Sequence, residues 1–234
     1  MLFRSKAAVR LLFVPLLAGA SLRDRVLACL GALIGISVVG TAGIGLFPAS
    51  IPWIVAPIGA STVLLFAVPA SPLAQPWSIV GGNSISALVG VLVVRYVPDP
   101  VIAATVAVAA AILVMSLLRC LHPPGGAAAL SAVLASSLIE AGGPGAFLIP
   151  VIVNSLLLTA IGWLFHRYSG HSYPPRPAPV EGRVLPPDSV SGLLMEDIDS
   201  ALADLGETFD ISREDLALLL ARAEVHAAER ACKS

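Results

Sequence analysis

Leu121-His122-Pro123-Pro124-Gly125-Gly126-Ala127-Ala128-Ala129-Leu130 is the stretch on which the reading of this chain turns. A histidine, two prolines and two glycines stand in the middle of a long, almost uncharged apolar region. Proline removes a backbone donor, and glycine weakens a helix. Irregular backbone at membrane depth persists only against protein or a water-filled cavity. Two glycines at the start of a helix leave N–H groups unshielded at the positive end of the helix dipole. The stretch therefore reads as a site for an anion or other polar solute inside a membrane protein.

The composition around it agrees. Of 234 residues, 57% are hydrophobic and 12% charged, against roughly 25% charged in soluble domains. Residues 1–168 hold 8 Lys/Arg against 3 Asp/Glu, a net of +5, whereas 169–234 hold 6 against 12, a net of −6. Between Val26 and Tyr168 the only charges are Arg95, Asp99, Arg119, Glu140 and Arg167. The expected organisation is a basic interfacial segment over 1–25 and a transmembrane domain over 26–168. A Pro-rich linker over 169–190 and an acidic helical tail over 191–234 follow. The run Leu11–Ala20 is too short to span; it reads as an interfacial helix, with a signal peptide as the alternative.

Outward from the central stretch, charge-free segments recur between turn signals. They predict an all-α bundle of about six spans: Val26–Leu46, Pro52–Val68, Trp77–Val94, Val101–Leu118, a short Gly125–Ile139 and Phe147–Phe165. The halves repeat, over about 26–96 and 101–168. Pro57-Ile58-Gly59-Ala60-Ser61 sits against Pro123-Pro124-Gly125-Gly126-Ala127. Asn83-Ser84, Gly90 and Arg95-Tyr96 are matched by Asn154-Ser155, Gly162 and Arg167-Tyr168. Three spans repeated once make an inverted pair, and inverted repeats with broken helices are a recurring transporter design. The basic loops place the N- and C-termini in the cytoplasm and the chain in the inner (plasma) membrane. A five-span reading, with the fifth segment re-entrant, puts the C-terminus outside.

The candidate substrate-binding residues are His122, Pro123, Pro124, Gly125 and Gly126, with Pro57, Gly59, Ser61 and Thr62 from the matching turn and Asn83 and Asn154 from mid-span. Arg119 stands at the cytoplasmic mouth, as an electropositive lure or a positive-inside anchor. Each has a plainer reading. His122 serves equally as a helix-start histidine bonded to a carbonyl, the glycines as tight packing, and the asparagines as interhelical ties. The backbone donors after Gly59 and Gly125 are the first expectation for substrate contact and His122 the second. Gln75 reads as a turn residue, Glu140 as a loop charge, and His166 and His171 as boundary and linker residues. Cys29, Cys120 and Cys232 have no paired spacing, and no metal or cofactor is expected. No enzyme or nucleic-acid motif appears. Two amphipathic tail helices, around Met195–Leu205 and from Ser212 to about Ala231, make too little core to stand alone. They need another protomer, a partner or a downstream segment, and a homo-oligomer is expected.

With these residues in hand, the chain resembles the HPP family of integral membrane proteins, known for its His-Pro-Pro motif. Ala56-Pro57-Ile58-Gly59-Ala60-Ser61, Pro72-Leu73-Ala74-Gln75-Pro76 and Gly81-Gly82-Asn83 are similar to its other recurrent stretches. The tail resembles the segment that precedes a pair of CBS domains in longer members, without such a pair here. Plastid and cyanobacterial members are described as nitrite transporters, so the resemblance implies transport of a small anion, with nitrite the first guess. A neutral-solute channel and a non-transporting scaffold acting through the tail are the alternatives.

Overall fold

The computed structural model describes residues 22–48, 51, 53–171 and 173–174, and in the tail 196, 198–200, 216–217, 219–221, 223 and 230. Most of the basic segment, most of the linker and most of the two tail helices lie outside the described residues; residues 22–25 of the basic segment form the first turn of the first helix.

Proline and aspartate punctuate the helices where the sequence leads one to expect it. Helix α1, Leu22–Leu46, begins with Asp24 in its first turn, where a carboxylate suits the helix dipole. Helix α2, Ala56–Ala67, starts from extended Val55 with Pro57 in its first turn. Ser71 accepts from Leu73 N to open a 3-10 turn over Pro72–Ala74, and Pro76 leads α3, Pro76–Tyr96. Asp99 caps α4, Pro100–Leu117, by accepting from Val101 N and Ile102 N. Helix α5, Pro123–Leu134, starts from extended His122. Helix α6, Ser136–Gly142, follows after a 65° bend. Helix α7, Gly145–Ser169, ends at left-handed Gly170.

The expected all-α transmembrane bundle is therefore what the chain forms, although the spans are unequal. Four helices, α1, α3, α4 and α7, are long and apolar enough to cross a membrane, and α5 with α6 makes a fifth if the bent pair counts as one span. Helix α2 has 12 residues, about 18 Å at 1.5 Å per residue, too short for a core of roughly 30 Å. Pro57 does not interrupt α2, because it sits in the first turn, where its missing N–H has no partner to lose. Glu140 lies within α6, not in a loop.

Helix α3 is the central post, packed on α5, α4 and α7. Its small residues set the spacing. A Cβ at Gly90 would lie 2.5 Å from the Ala129 carbonyl, and one at Gly82 would lie 2.5 Å from His122 Cβ. Helix α4 lies against α3 and α5. It does so through Ala103, Ala107, Ala111 and Met115, one buried residue every four, the spacing of a single helix face. Small residues let backbones approach closely, which is how membrane helices gain dispersion energy without a hydrophobic drive. Thirty-odd exposed aliphatic and aromatic side chains, such as Leu33, Val63, Ile102, Leu117 and Trp163, then face outward as a lipid-exposed surface does.

The start of α1 and the end of α7 share one end of the bundle: His171 Nε2 lies 3.7 Å from Asp24 Oδ1. The chain folds back there. Tyr173 is buried, its hydroxyl donating to the Ala74 carbonyl at 2.9 Å, and burial pushes its phenol pKa upward. The first residues of the expected linker thus belong to the membrane domain.

Candidate functional site

His122 is fully buried at the start of α5. The two prolines that follow hold the chain extended up to that point, since the residue before proline is excluded from the helical region. This turns the imidazole inward instead of starting the helix one residue earlier. Nδ1 lies 2.8 Å from the Leu73 carbonyl in the 3-10 turn, and Nε2 lies 2.8 Å from Ser61 Oγ on α2. A carbonyl only accepts, so Nδ1 carries the proton and Nε2 of the neutral ring receives the Ser61 hydroxyl.

Asn83 of α3 completes the cluster. Its amide nitrogen donates to Ser61 Oγ at 2.9 Å and to Ser155 Oγ on α7 at 3.3 Å. Ser155 passes its own proton to the Val151 carbonyl, which leaves its oxygen free to accept and fixes the amide orientation. Four helices and one turn therefore meet at His122, Ser61, Asn83 and Ser155, all fully buried. The Oδ1 of Asn83 and the Oγ of Ser86, one turn further along α3, are buried with no hydrogen-bond partner. No carboxylate among the described residues bonds to this group.

The remaining candidates separate. Gly125 packs against α3: an added Cβ would meet Met115 Sδ, Ser86 Oγ and the Gly82 carbonyl, all within 3 Å. Its N–H donates to the His122 carbonyl at 2.7 Å, and Pro123 and Pro124 have none to offer. The first turn of α5 therefore does not present the expected ring of backbone donors, because proline chemistry removes two and a tight turn uses the third. Gly126 is half-buried beside Val108. Gly59 is exposed, with no heavy atom within 4 Å of an added Cβ. It lies on the outer face of α2, away from Ser61, Thr62 and the buried Pro57. Thr62 donates to its own helix at Ile58 O.

Asn154 belongs to a second tie. Its amide donates to the carbonyls of Trp53 at 2.9 Å and Pro150 at 2.7 Å. Trp53 stacks on Phe47 and donates from its indole to Val39 O. Asn154 thus anchors the connection that leads into α2. Arg119 is exposed, at a positive φ of 53° in the turn after α4.

Sequence reasoning overlooked Ser155, Ser86 and the Leu73 carbonyl. The serines were visible as polar residues beside or one turn from the asparagines, and Leu73 lies within the quoted Pro-Leu-Ala-Gln-Pro stretch. His166 is a core residue, not a boundary one: Nε2 lies 2.9 Å from the Leu65 carbonyl, and Phe66, Phe165 and Tyr173 surround the ring. At the opposite end from His122, a cavity of about 820 Å³ opens between α3, α4 and α6, with Arg95, Glu140 and Ser136 in its wall.

The family model described as the HPP transmembrane region matches residues 18–174. The chain belongs to the HPP transmembrane family. The match takes in the whole of α1–α7 and ends just past the buried tyrosine. Among curated proteins, this HPP domain is similar to two transmembrane proteins of Dictyostelium discoideum. One is 34% identical over 122 residues, 49% of this chain and 42% of that protein. The other is 42% identical over 108 residues, 44% of this chain and 34% of that protein. The chain thus spans well under half the length of these relatives. No solved structure matches it.

Proposed function

We propose that this HPP protein transports a small monovalent anion, with nitrite the first candidate. The observation that carries the reading is the uncharged polar centre formed by His122, Ser61, Asn83 and Ser155, fully buried where four helices meet. Polar side chains inside a membrane domain are costly to maintain and mark solute paths by default. A polar centre with no fixed positive charge suits an ion that must be held and then released. The 820 Å³ cavity beside Arg95 supplies a vestibule on the opposite side. In this reading the site is centred on side chains, with the Gly125 and Gly59 backbones as support. The protein acts without enzymatic chemistry as a homo-oligomer in the inner (plasma) membrane, both termini cytoplasmic, as the clustering of basic residues near 23–25, 119 and 167 favours.

Anion flux into proteoliposomes tests this: nitrite, nitrate and formate are compared with water and glycerol swelling. Saturable anion uptake that falls at least tenfold in Asn83→Leu supports it. The unpartnered acceptors Asn83 Oδ1 and Ser86 Oγ favour one competing reading, a channel for neutral hydrogen-bond-donating solutes. Glycerol swelling without anion flux would establish that instead.

A further inference from the structure

The Ser61 hydroxyl has one proton and two acceptors in reach. His122 Nε2 lies at 2.8 Å and the Pro57 carbonyl at 3.1 Å. Asn83 fills one of its lone pairs, leaving the other open. The Leu73 carbonyl fixes the proton on Nδ1, so Nε2 is the only ring position that changes on protonation. With the ring neutral, Ser61 donates to Nε2. With the ring protonated, Nε2–H donates to the open lone pair of Ser61, whose own proton turns to Pro57 O. Both states keep every donor paired. The conversion is a rotation of one hydroxyl, with no backbone movement.

The charge itself has no counter-ion among the described residues. Toward the ring, α2 presents Ser61, α3 presents Gly82 and Asn83, α7 contributes Ser155 through Asn83, and the 3-10 turn presents the Leu73 carbonyl. None is charged. The ionisable groups nearby are Cys120, buried two residues earlier, Tyr173, bonded to Ala74 O beside Leu73, and exposed Arg119, which carries the same sign. An isolated buried cation is strongly disfavoured. A monovalent anion arriving at the polar centre supplies the missing charge, and the anion gains an attractive partner in the same step. Binding of the two is then reciprocally linked.

Resting on the transport reading above, we propose that His122 carries one proton for each anion, through the Ser61 hydroxyl switch, so that the protein is an electroneutral proton–anion symporter. The proton taken up at Nε2 on the side where the anion arrives leaves with it on the other side, and no net charge crosses.

The test uses the full chain in liposomes loaded with a pH dye, with nitrite as one probe and nitrate as the other, protein-free liposomes being subtracted. Expected results are acidification of the lumen by one proton per anion, and accumulation that ignores a potassium–valinomycin potential. An anion moving alone would change its accumulation roughly fifty-fold per 100 mV. Ser61→Ala should lower uptake about tenfold and Ser61→Thr, which keeps the hydroxyl, should restore it. His122→Gln, whose neutral amide can satisfy Leu73 and Ser61, should keep the melting temperature and lose proton movement. Accumulation that follows the potential, or Ser61→Ala moving protons like the parent, overturns the coupling while leaving transport standing. No flux of either anion overturns the transport reading and the coupling with it.

Discussion

Helices α2 and α5 carry the two sequence stretches read as counterparts; both have proline in the first turn, 12 residues and an extended residue before them. Their surroundings differ. At α5 the first turn is sealed: Gly125 is walled by Ser86, Gly82 and Met115, and the residue that precedes the helix is the fully buried His122. At α2 the corresponding Gly59 faces outward into open space, and the approach is held by Asn154 and Trp53. The start of α5 lies in the polar centre, whereas the approach to α2 is held by a separate brace. A shared sequence pattern thus specifies a shared helix length and start, while the use of each start depends on what packs there.

Substitutions at glycine should break this comparison most visibly. Gly90→Leu drives a side chain into the Ala129 backbone, which cannot move away as a flexible side chain would. Overpacking costs about 1–3 kcal/mol and sometimes more, so loss of folded protein in detergent is expected. Gly125→Leu should behave alike. Gly59→Ala, with open space around it, should instead raise stability by about 0.5–1 kcal/mol through helix propensity, seen as a higher melting temperature. Equal damage at Gly59 and Gly125 would mean that α2 and α5 are equally enclosed.

At the polar centre, His122→Ala leaves the Leu73 carbonyl without its donor, turns the Ser61 hydroxyl to the Pro57 carbonyl and opens a cavity. A loss of about 2–4 kcal/mol is expected from the unpaired carbonyl and the void together, read by thermal unfolding. Asn154→Ala removes only the brace at Trp53 and Pro150. Interhelical hydrogen bonds in membranes contribute about 0.6–2 kcal/mol, so a smaller loss is expected, together with faster hydrogen exchange near Trp53. If Asn154→Ala proves worse than His122→Ala, the assignment of centre and brace is reversed.

The smallest effect belongs to the end of the domain. Tyr173→Phe deletes one hydrogen bond to Ala74 O, worth about 1 kcal/mol. It should loosen the 3-10 turn over His122 without unfolding the bundle. Protease sensitivity near residues 70–75 would report it, and no change in cleavage or stability would show that the turn is held without the tyrosine.

Much of this was legible in the chain. The sequence boundaries Val26–Leu46, Trp77–Val94, Val101–Leu118 and Phe147–Phe165 lie inside or within one residue of α1, α3, α4 and α7. Charge-free runs closed by prolines leave the backbone few other ways to satisfy itself in lipid. The break at Ala135 was not legible, because Leu134-Ala135-Ser136 carries neither proline nor glycine. Nor was the orientation of Gly59, which depends on a helix face that an apolar, nearly uniform segment does not announce.

By itself, then, the sequence determined the class of the protein, the places where helices start and stop, and the set of polar residues that must be accommodated at depth. These follow from local chemistry: proline without an N–H, charge too costly for lipid, glycine too weak for a helix interior. Only the tertiary structure decided that Leu73, Ser61, Asn83 and Ser155 gather around His122 while Asn154 goes elsewhere. Hydrogen-bonded pairs in this cluster are up to 72 residues apart, and which of them meet depends on how closely Gly82, Gly90 and the α4 alanines let the helices approach.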